Sequence, residues 1–283
     1  MSALVLVPVV VSAASCTAAP SAGEMKANAA LSEAATAVKT PDGTVSTNNL
    51  LRLGKEIEGK GSVVTALPLY EKAAADPNAG AEVHVALGDA YTKLNRDGEA
   101  ADAYRKALVK SPNDSYALFG LGSMLIRSGQ VSTGLDMLLK AVPRVNTPEA
   151  YDRLGVAYIM AGQPREALAS FEQAYGMNRN DPDIASNVAL AAALLGQDAR
   201  AVSLAQHTLT YTDIKPYHRR NLILALAISG KPETARSSSS GFFESDDLDA
   251  LLGRAEQIRK LSNPRERAIA LGTIRLAIAS ERR

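Results

Sequence analysis

The 283-residue chain is rich in Ala and Leu, has no Trp, and sets 31 Lys and Arg against 30 Asp and Glu, for a net charge of +1. So balanced a surface offers no field to draw in nucleic acid or an anionic bilayer, and a single cysteine leaves no internal disulfide and no cysteine-based metal cluster. Strong helix formers with few aromatics suit helix packing better than a β-sandwich, and an array of stacked units needs no single large core.

Residues 1–15 read as a signal peptide. Leu4 to Val11 is almost wholly apolar, too short to span a bilayer and interrupted by Pro8, and it leads through Ser12-Ala13-Ala14-Ser15 to Cys16. Small residues before a lone cysteine resemble the bacterial lipobox. That resemblance implies that Cys16 is the lipidation site and the mature N-terminus, so that the membrane is met through the N-terminal lipid only. Thr17, where Asp would retain a lipoprotein at the inner membrane, implies an outer-membrane lipoprotein facing the periplasm; an ordinary secretory signal would instead give a soluble periplasmic protein. Residues 16–46, rich in Ala, Ser, Thr and Gly, read as a tether, with a helix expected around Met25 to Lys39.

From 47 to 236 the chain repeats itself at a period of about 34 residues. The clearest unit starts at Ala81 and reads His84-x-x-Leu87-Gly88-x-x-Tyr91, then Ala100-x-x-x-Tyr104, Ala107 and Pro112. This matches the tetratricopeptide signature, with His84 in the Trp position. The phase recurs as Leu50, Leu53, Gly54, Ala66 and Tyr70 upstream, and as Leu118, Leu121, Gly122 and Leu138, then Tyr151, Leu154, Gly155, Ala167 and Phe171, downstream. Gly129, Gly162, Gly196 and Gly230 mark the turns between paired helices at steps of 33, 34 and 34. Five repeats are expected, from Thr47, Ala81, Ser115, Pro148 and Pro182, with a partial sixth from Pro216. The fold expected is all-α: a tetratricopeptide-repeat, right-handed superhelical solenoid of antiparallel helix pairs.

The repeat breaks at Ser237-Ser238-Ser239-Ser240-Gly241, so 237–245 reads as a Ser-rich linker and 246–283 as a C-terminal helical cap, with Asp246 and Asp247 capping its first helix.

Two late segments carry a narrower resemblance: Asp181-Pro182-Asp183-Ile184-Ala185-Ser186-Asn187-Val188-Ala189-Leu190 and Arg219-Arg220-Asn221-Leu222-Ile223-Leu224-Ala225-Leu226-Ala227. With Cys16 they resemble the TadD family of tetratricopeptide lipoproteins, which serve the tight-adherence (Tad, Flp) pilus system. The resemblance implies a non-catalytic protein-protein interaction scaffold assisting pilus assembly or secretion, with a protein or peptide partner such as a secretin or another pilus component. A general periplasmic chaperone and a regulatory subunit of a cell-wall enzyme are the alternatives.

Nothing in the sequence argues for an enzyme, a cofactor or a metal site. Gly54-Lys55-Glu56-Ile57-Glu58-Gly59-Lys60-Gly61 nearly spells a P-loop, but Gly61 replaces the Ser or Thr that holds magnesium, and the glycines fall at repeat positions. His84, His207 and His218 lie on different repeats, without the short spacing of a helical zinc pair.

By resemblance to tetratricopeptide proteins, partners meet the first helix of each repeat at its second, fifth, ninth, twelfth and thirteenth positions. These select Glu82, Asp89 and Lys93, then Tyr116, Phe119 and Arg127, then Glu149 and Asp152, with Ile159, Met160, Leu190 and Leu194 forming an apolar end. Asn187 and Asn221 recur one period apart at the sixth position, where an amide suits either a peptide backbone or a neighbouring helix.

Overall fold

The computed structural model describes residues 46–239 and 241–281, with side chains described through residue 272. The signal segment 1–15, Cys16, and the tether up to residue 45 with its expected helix lie outside the described residues. Among the described residues there are fourteen α-helices and no strand. They run α1 Thr47–Gly59, α2 Val63–Ala74, α3 Ala81–Lys93, α4 Asp97–Lys110, α5 Ser115–Arg127, α6 Val131–Val145, α7 Pro148–Met160, α8 Pro164–Met177, α9 Pro182–Leu194, α10 Asp198–Thr208, α11 Pro216–Ile228, α12 Pro232–Ser238, α13 Ser245–Lys260 and α14 Pro264–Glu281.

The first twelve helices form six pairs, and the first helix of each starts at the residue where the sequence period restarts: Thr47, Ala81, Ser115, Pro148, Pro182 and Pro216. Local chemistry fixes these starts. Proline at the first helical position loses no hydrogen bond there, and it opens α7, α8, α9, α11, α12 and α14. Asp114, Thr147 and Asp181 accept a backbone N–H from the first turns of α5, α7 and α9.

The turn within each pair has one solution. Gly61, Asn95, Gly129, Gly162, Gly196 and Gly230 all have positive φ, from 58° to 93°. The residue after each donates its N–H five positions back, as Gln130 does to the carbonyl of Leu125 at 2.8 Å. Such left-handed closures satisfy carbonyls at a helix end, and all but Asn95 use glycine, which adopts the conformation without Cβ strain.

The chain divides into two compact units, parted after Ala73. In the first, α1 and α2 pair around Tyr70, whose ring lies where a Cβ on Gly54 would come within 2.4 Å. Its hydroxyl donates to Glu58 at 2.6 Å. The near P-loop is therefore the second half of α1 and its closing turn, with Lys60 donating to Glu56 one helical turn earlier.

In the second unit, α3 to α12 make the remaining five pairs, each packed on the next. Aromatic rings over glycines set the spacing. The Tyr104 ring fills the space of a Cβ on Gly88 in its own repeat and of one on Gly120 in the next, while Phe171 does the same over Gly155. The sixth pair is complete but short, since α12 has two turns and runs to Ser238, inside the segment read as linker. α13 then packs on α11. Its N-cap is Glu244, and Asp246 and Asp247 lie in its first turn rather than at the cap. There they face the positive end of the helix dipole. The last helix, α14, does not continue outward; it turns back and packs chiefly on α7, reaching α9 and α8 as well. From Ile184 to Leu194 every residue of α9 is buried.

Candidate functional site

The first helices of the second to fourth repeats, α3, α5 and α7, line a cleft of about 440 Å³. Asp89, Lys93, Tyr116, Phe119, Arg127 and Glu149, all selected from the sequence, stand together around it. Glu82, in the exposed first turn of α3, does not line it. Tyr116 is the most open aromatic of the cleft, at 59% exposure. Phe119 is half-buried and packs on the cluster around Leu154.

The charges of the cleft are held by neighbours. Arg127 pairs with Asp97 of α4, 30 residues away. Asp89 accepts a 2.7 Å hydrogen bond from the Tyr104 hydroxyl, which also sits 3.2 Å from Thr92. Burial first, and the Asp89 carboxylate second, push the Tyr104 phenol far above its ordinary pKa, so it stays a donor. Glu149 and Arg153 pair at 3.4 Å along α7.

A second cleft, of about 460 Å³, carries the same face onward past α7 to Asp183 of α9 and Tyr217 of α11. Ser123 lines both clefts, and its hydroxyl oxygen is buried with no partner in the protein. The sequence reading omitted Ser123, although it holds the ninth position that selected Asp89 one repeat earlier. Asp97 was also missed because it lies on a second helix, and Arg153 because the sixth position was read only where it holds an asparagine.

Beyond the clefts, a polar ladder ties successive repeats. Asn187 donates to Asp152 at 2.8 Å, and Asn221 donates to Asn187 at 3.2 Å. Both asparagines therefore bond neighbouring first helices. Beside them, buried His218 accepts the Lys215 N–H at its Nδ1, which leaves the Nε2 proton to point at Asp183, 2.8 Å away.

The apolar end differs from expectation. Leu190 and Leu194 are 2% and 0% exposed and Ile159 is 2% exposed, so these are core residues, with Met160 half-buried beside them. The cluster that buries them is built from later helices, with Leu222 to Ile228 of α11, Leu248 and Leu251 of α13, and Ala268 and Leu271 of α14 all joining it, while Gly272 of α14 lies against Met160. His84 is 5% exposed with Nδ1 unpartnered, and burial, helped by Lys106 and Lys110, holds its pKa below the ordinary histidine value.

A tetratricopeptide-repeat family model matches residues 57–213, more than half of the chain. The protein belongs to the tetratricopeptide-repeat family. Members of this family bind protein or peptide partners and are generally non-catalytic scaffolds. The chain is 25% identical over 166 residues to the type IV pilus assembly protein PilF of Pseudomonas aeruginosa, covering 58% of this chain and 64% of that protein. The chain thus matches less than two thirds of that relative's length. The solved structure of Pseudomonas aeruginosa PilF superposes with a TM-score of 0.55 at 18% identity, over 84% of this chain and 97% of that one. YrrB, described as a tetratricopeptide protein with an unusual peptide-binding site, gives 0.52 at 19% identity over 66% of this chain and 97% of its own. At these identities the likeness is one of fold.

The two segments that resemble the Tad family also have a place in the tetratricopeptide array. Residues 184–190 and 222–227 are buried throughout, at the junction of α9 and α11. Their Ala and Leu content follows from burial in the repeat core.

Proposed function

We propose that this protein is a non-catalytic scaffold for assembly of an envelope pilus, capturing a segment of a pilus or secretion component in the cleft across α3, α5 and α7. The observation that carries the reading is Tyr116: a large, 59%-exposed aromatic at the mouth of a cleft whose surrounding charges are already held in place. A preorganised rim around an open aromatic is the arrangement from which interface hot spots are built. Similarity to PilF supports a role in pilus assembly, with the type IV and Tad/Flp systems as the two candidates and a secretin among the candidate partners.

The same proposal places the protein on the periplasmic side of the outer membrane, held by a lipid on Cys16. No helix among the described residues is long and apolar enough to cross a membrane. Cys16→Ser is expected to abolish lipid labelling and release the protein into the soluble fraction; retention and labelling as in wild type would reject the anchor.

The scaffold reading is tested at the native locus with Tyr116→Ala. Surface pili counted by electron microscopy should fall sharply while the level of the protein, followed by immunoblot, is unchanged. Normal piliation would reject capture at this cleft.

A further inference from the structure

We infer that the apolar end of the first-helix face is a second binding site, specific for an amphipathic helix, and that the chain's own C-terminal helix α14 occupies it until a partner helix takes its place. This extends the scaffold reading to a different surface and a different partner chemistry.

Ile159 and Met160 end α7, and Leu190 and Leu194 end α9. They stand at the partner-facing positions of their repeats, continuing the face along which the open clefts run, one turn beyond Val156 of the second cleft. Without a cover Ile159 and Met160 would leave apolar surface at this end of the face, of the sort soluble surfaces seldom expose. α14 supplies the cover. A Cβ on Gly272 would stand 3.3 Å from the Met160 Cα and 3.8 Å from the Ile159 carbonyl oxygen. The two backbones thus approach as closely as only a small residue permits. Ala268, one turn earlier, is fully buried, and Leu271 is 1% exposed. Gly162, at φ +70°, receives the Ile269 side chain. A ridge of small residues flanked by aliphatic ones, seated on apolar positions of two repeats, is helix-in-groove recognition made within one chain.

The attachment of α14 is divided between its two ends. Its start is fixed to α13, since Arg267 donates from Nε to the Leu261 carbonyl at 2.6 Å and from its guanidinium to the Arg259 carbonyl at 3.2 Å. Among the residues whose side chains are described, Gly272 lies against Met160 and Ile269 against Gly162 just past the end of α7, and Ile269 remains 47% exposed even when docked. Leu261 has extended backbone dihedrals before Pro264, so the corner can act as the pivot while the helix leaves. The partner implied is a helix with Ala or Gly at four-residue spacing flanked by Leu or Ile. It must bind more tightly than α14 does at the effective concentration its tether provides.

The test uses the full chain and a fluorescein-labelled peptide of residues 264–281 as the probe, read by fluorescence anisotropy. Wild type should bind it weakly, because its own helix competes. Leu271→Asp, which weakens the resident helix, should raise affinity at least tenfold. A Met160→Cys, Gly272→Cys pair on a Cys16→Ser background should abolish binding when oxidised and recover it on reduction. That redox comparison is made on one preparation, so it decides the matter even if Leu271→Asp fails to fold. Equal binding by oxidised and reduced protein, or a folded Leu271→Asp chain that binds no better than wild type, would overturn the inference. A concentration-dependent dimer, abolished by Leu271→Asp, would overturn it too, by making a second copy the occupant. None of these outcomes alters piliation by Tyr116→Ala, so failure here is distinguishable from failure of the scaffold reading.

Discussion

Asn221 donates its side-chain amide to the side-chain oxygen of Asn187, one repeat upstream, across 3.2 Å. Asn187 passes the link to Asp152 at 2.8 Å, so one residue per repeat joins α11, α9 and α7. Asn187 is 7% exposed, and a buried amide with its partners in place specifies how neighbouring repeats register.

Replacing Asn187 with Ala should lower the urea-unfolding free energy by about 1–3 kcal/mol, the range for breaking buried hydrogen bonds. Asn221→Ala should lose less, because Asn221 is half-buried. A double-mutant cycle between positions 152 and 187 checks the link. No coupling there would show that the Asn187–Asp152 bond does not register the two repeats.

Gly88→Ala probes how the rings set the spacing. The added Cβ would meet the Tyr104 ring at 2.6 Å, and Gly120 of the next repeat lies against the same ring, which restricts where the ring can move. Overfilling should cost about 1–3 kcal/mol, and a smaller residue at 104 should recover part of it. A double variant Gly88→Ala, Tyr104→Leu no more stable than Gly88→Ala would show that the ring is not what constrains this glycine.

The repeats were legible because most of them write their own signals: a small residue against a ring in several, a glycine at every turn but the one at Asn95, and a proline or cap at the start from the third repeat on. Grouping Tyr116, Phe119 and Arg127 on one face followed from helical spacing, and the structure places all three around one cleft. What failed to show were relationships between distant residues. Leu190 and Leu194 looked like groove residues because the cluster that buries them draws on α11, α13 and α14, some 30 to 80 residues later, and the last two carry no repeat signature. Arg127 looked unattached because Asp97 lies in the preceding repeat, on a helix that does not face partners. His218 looked isolated for the same reason, its carboxylate being 35 residues earlier at Asp183.

His84 gives the stability a pH dependence. Burial favours its neutral form, so its folded pKa is depressed while the unfolded chain takes up the proton near about 6.5. The unfolded state then binds more protons as pH falls through that value. His84 should therefore impose no loss above about pH 7 and a growing one as the pH drops below about 6.5 towards the folded pKa. His84→Leu removes both the titration and the unpartnered Nδ1. It should raise stability by about 1 kcal/mol at neutral pH and flatten the profile between about pH 7 and 5. Urea melts at several pH values measure this; a variant with the wild-type slope would place the acid sensitivity elsewhere.

The cleft itself can be divided residue by residue, because its three central side chains differ in what else they do. Arg127 holds Asp97, and a half-exposed pair of this kind contributes roughly 0–1 kcal/mol to stability. Phe119 packs on the cluster around Leu154, so its removal should cost on the order of 2 kcal/mol, below the range for a fully buried ring. Tyr116 is 59% exposed, and its truncation should change stability by no more than about 0.5 kcal/mol. Only Tyr116 therefore separates contact from folding. An aromatic central to an interface contributes about 2 kcal/mol or more, so Tyr116→Ala should weaken partner capture at least tenfold with an unchanged melting curve. Phe119→Ala should weaken both together, and Arg127→Ala should act mainly on capture. Each variant is melted by circular dichroism and, from the same preparation, used to retain pilus components from solubilised envelopes. If Tyr116→Ala retains them in wild-type amounts while Phe119→Ala loses them only as it loses helicity, the cleft is a packing feature and capture occurs elsewhere on the array.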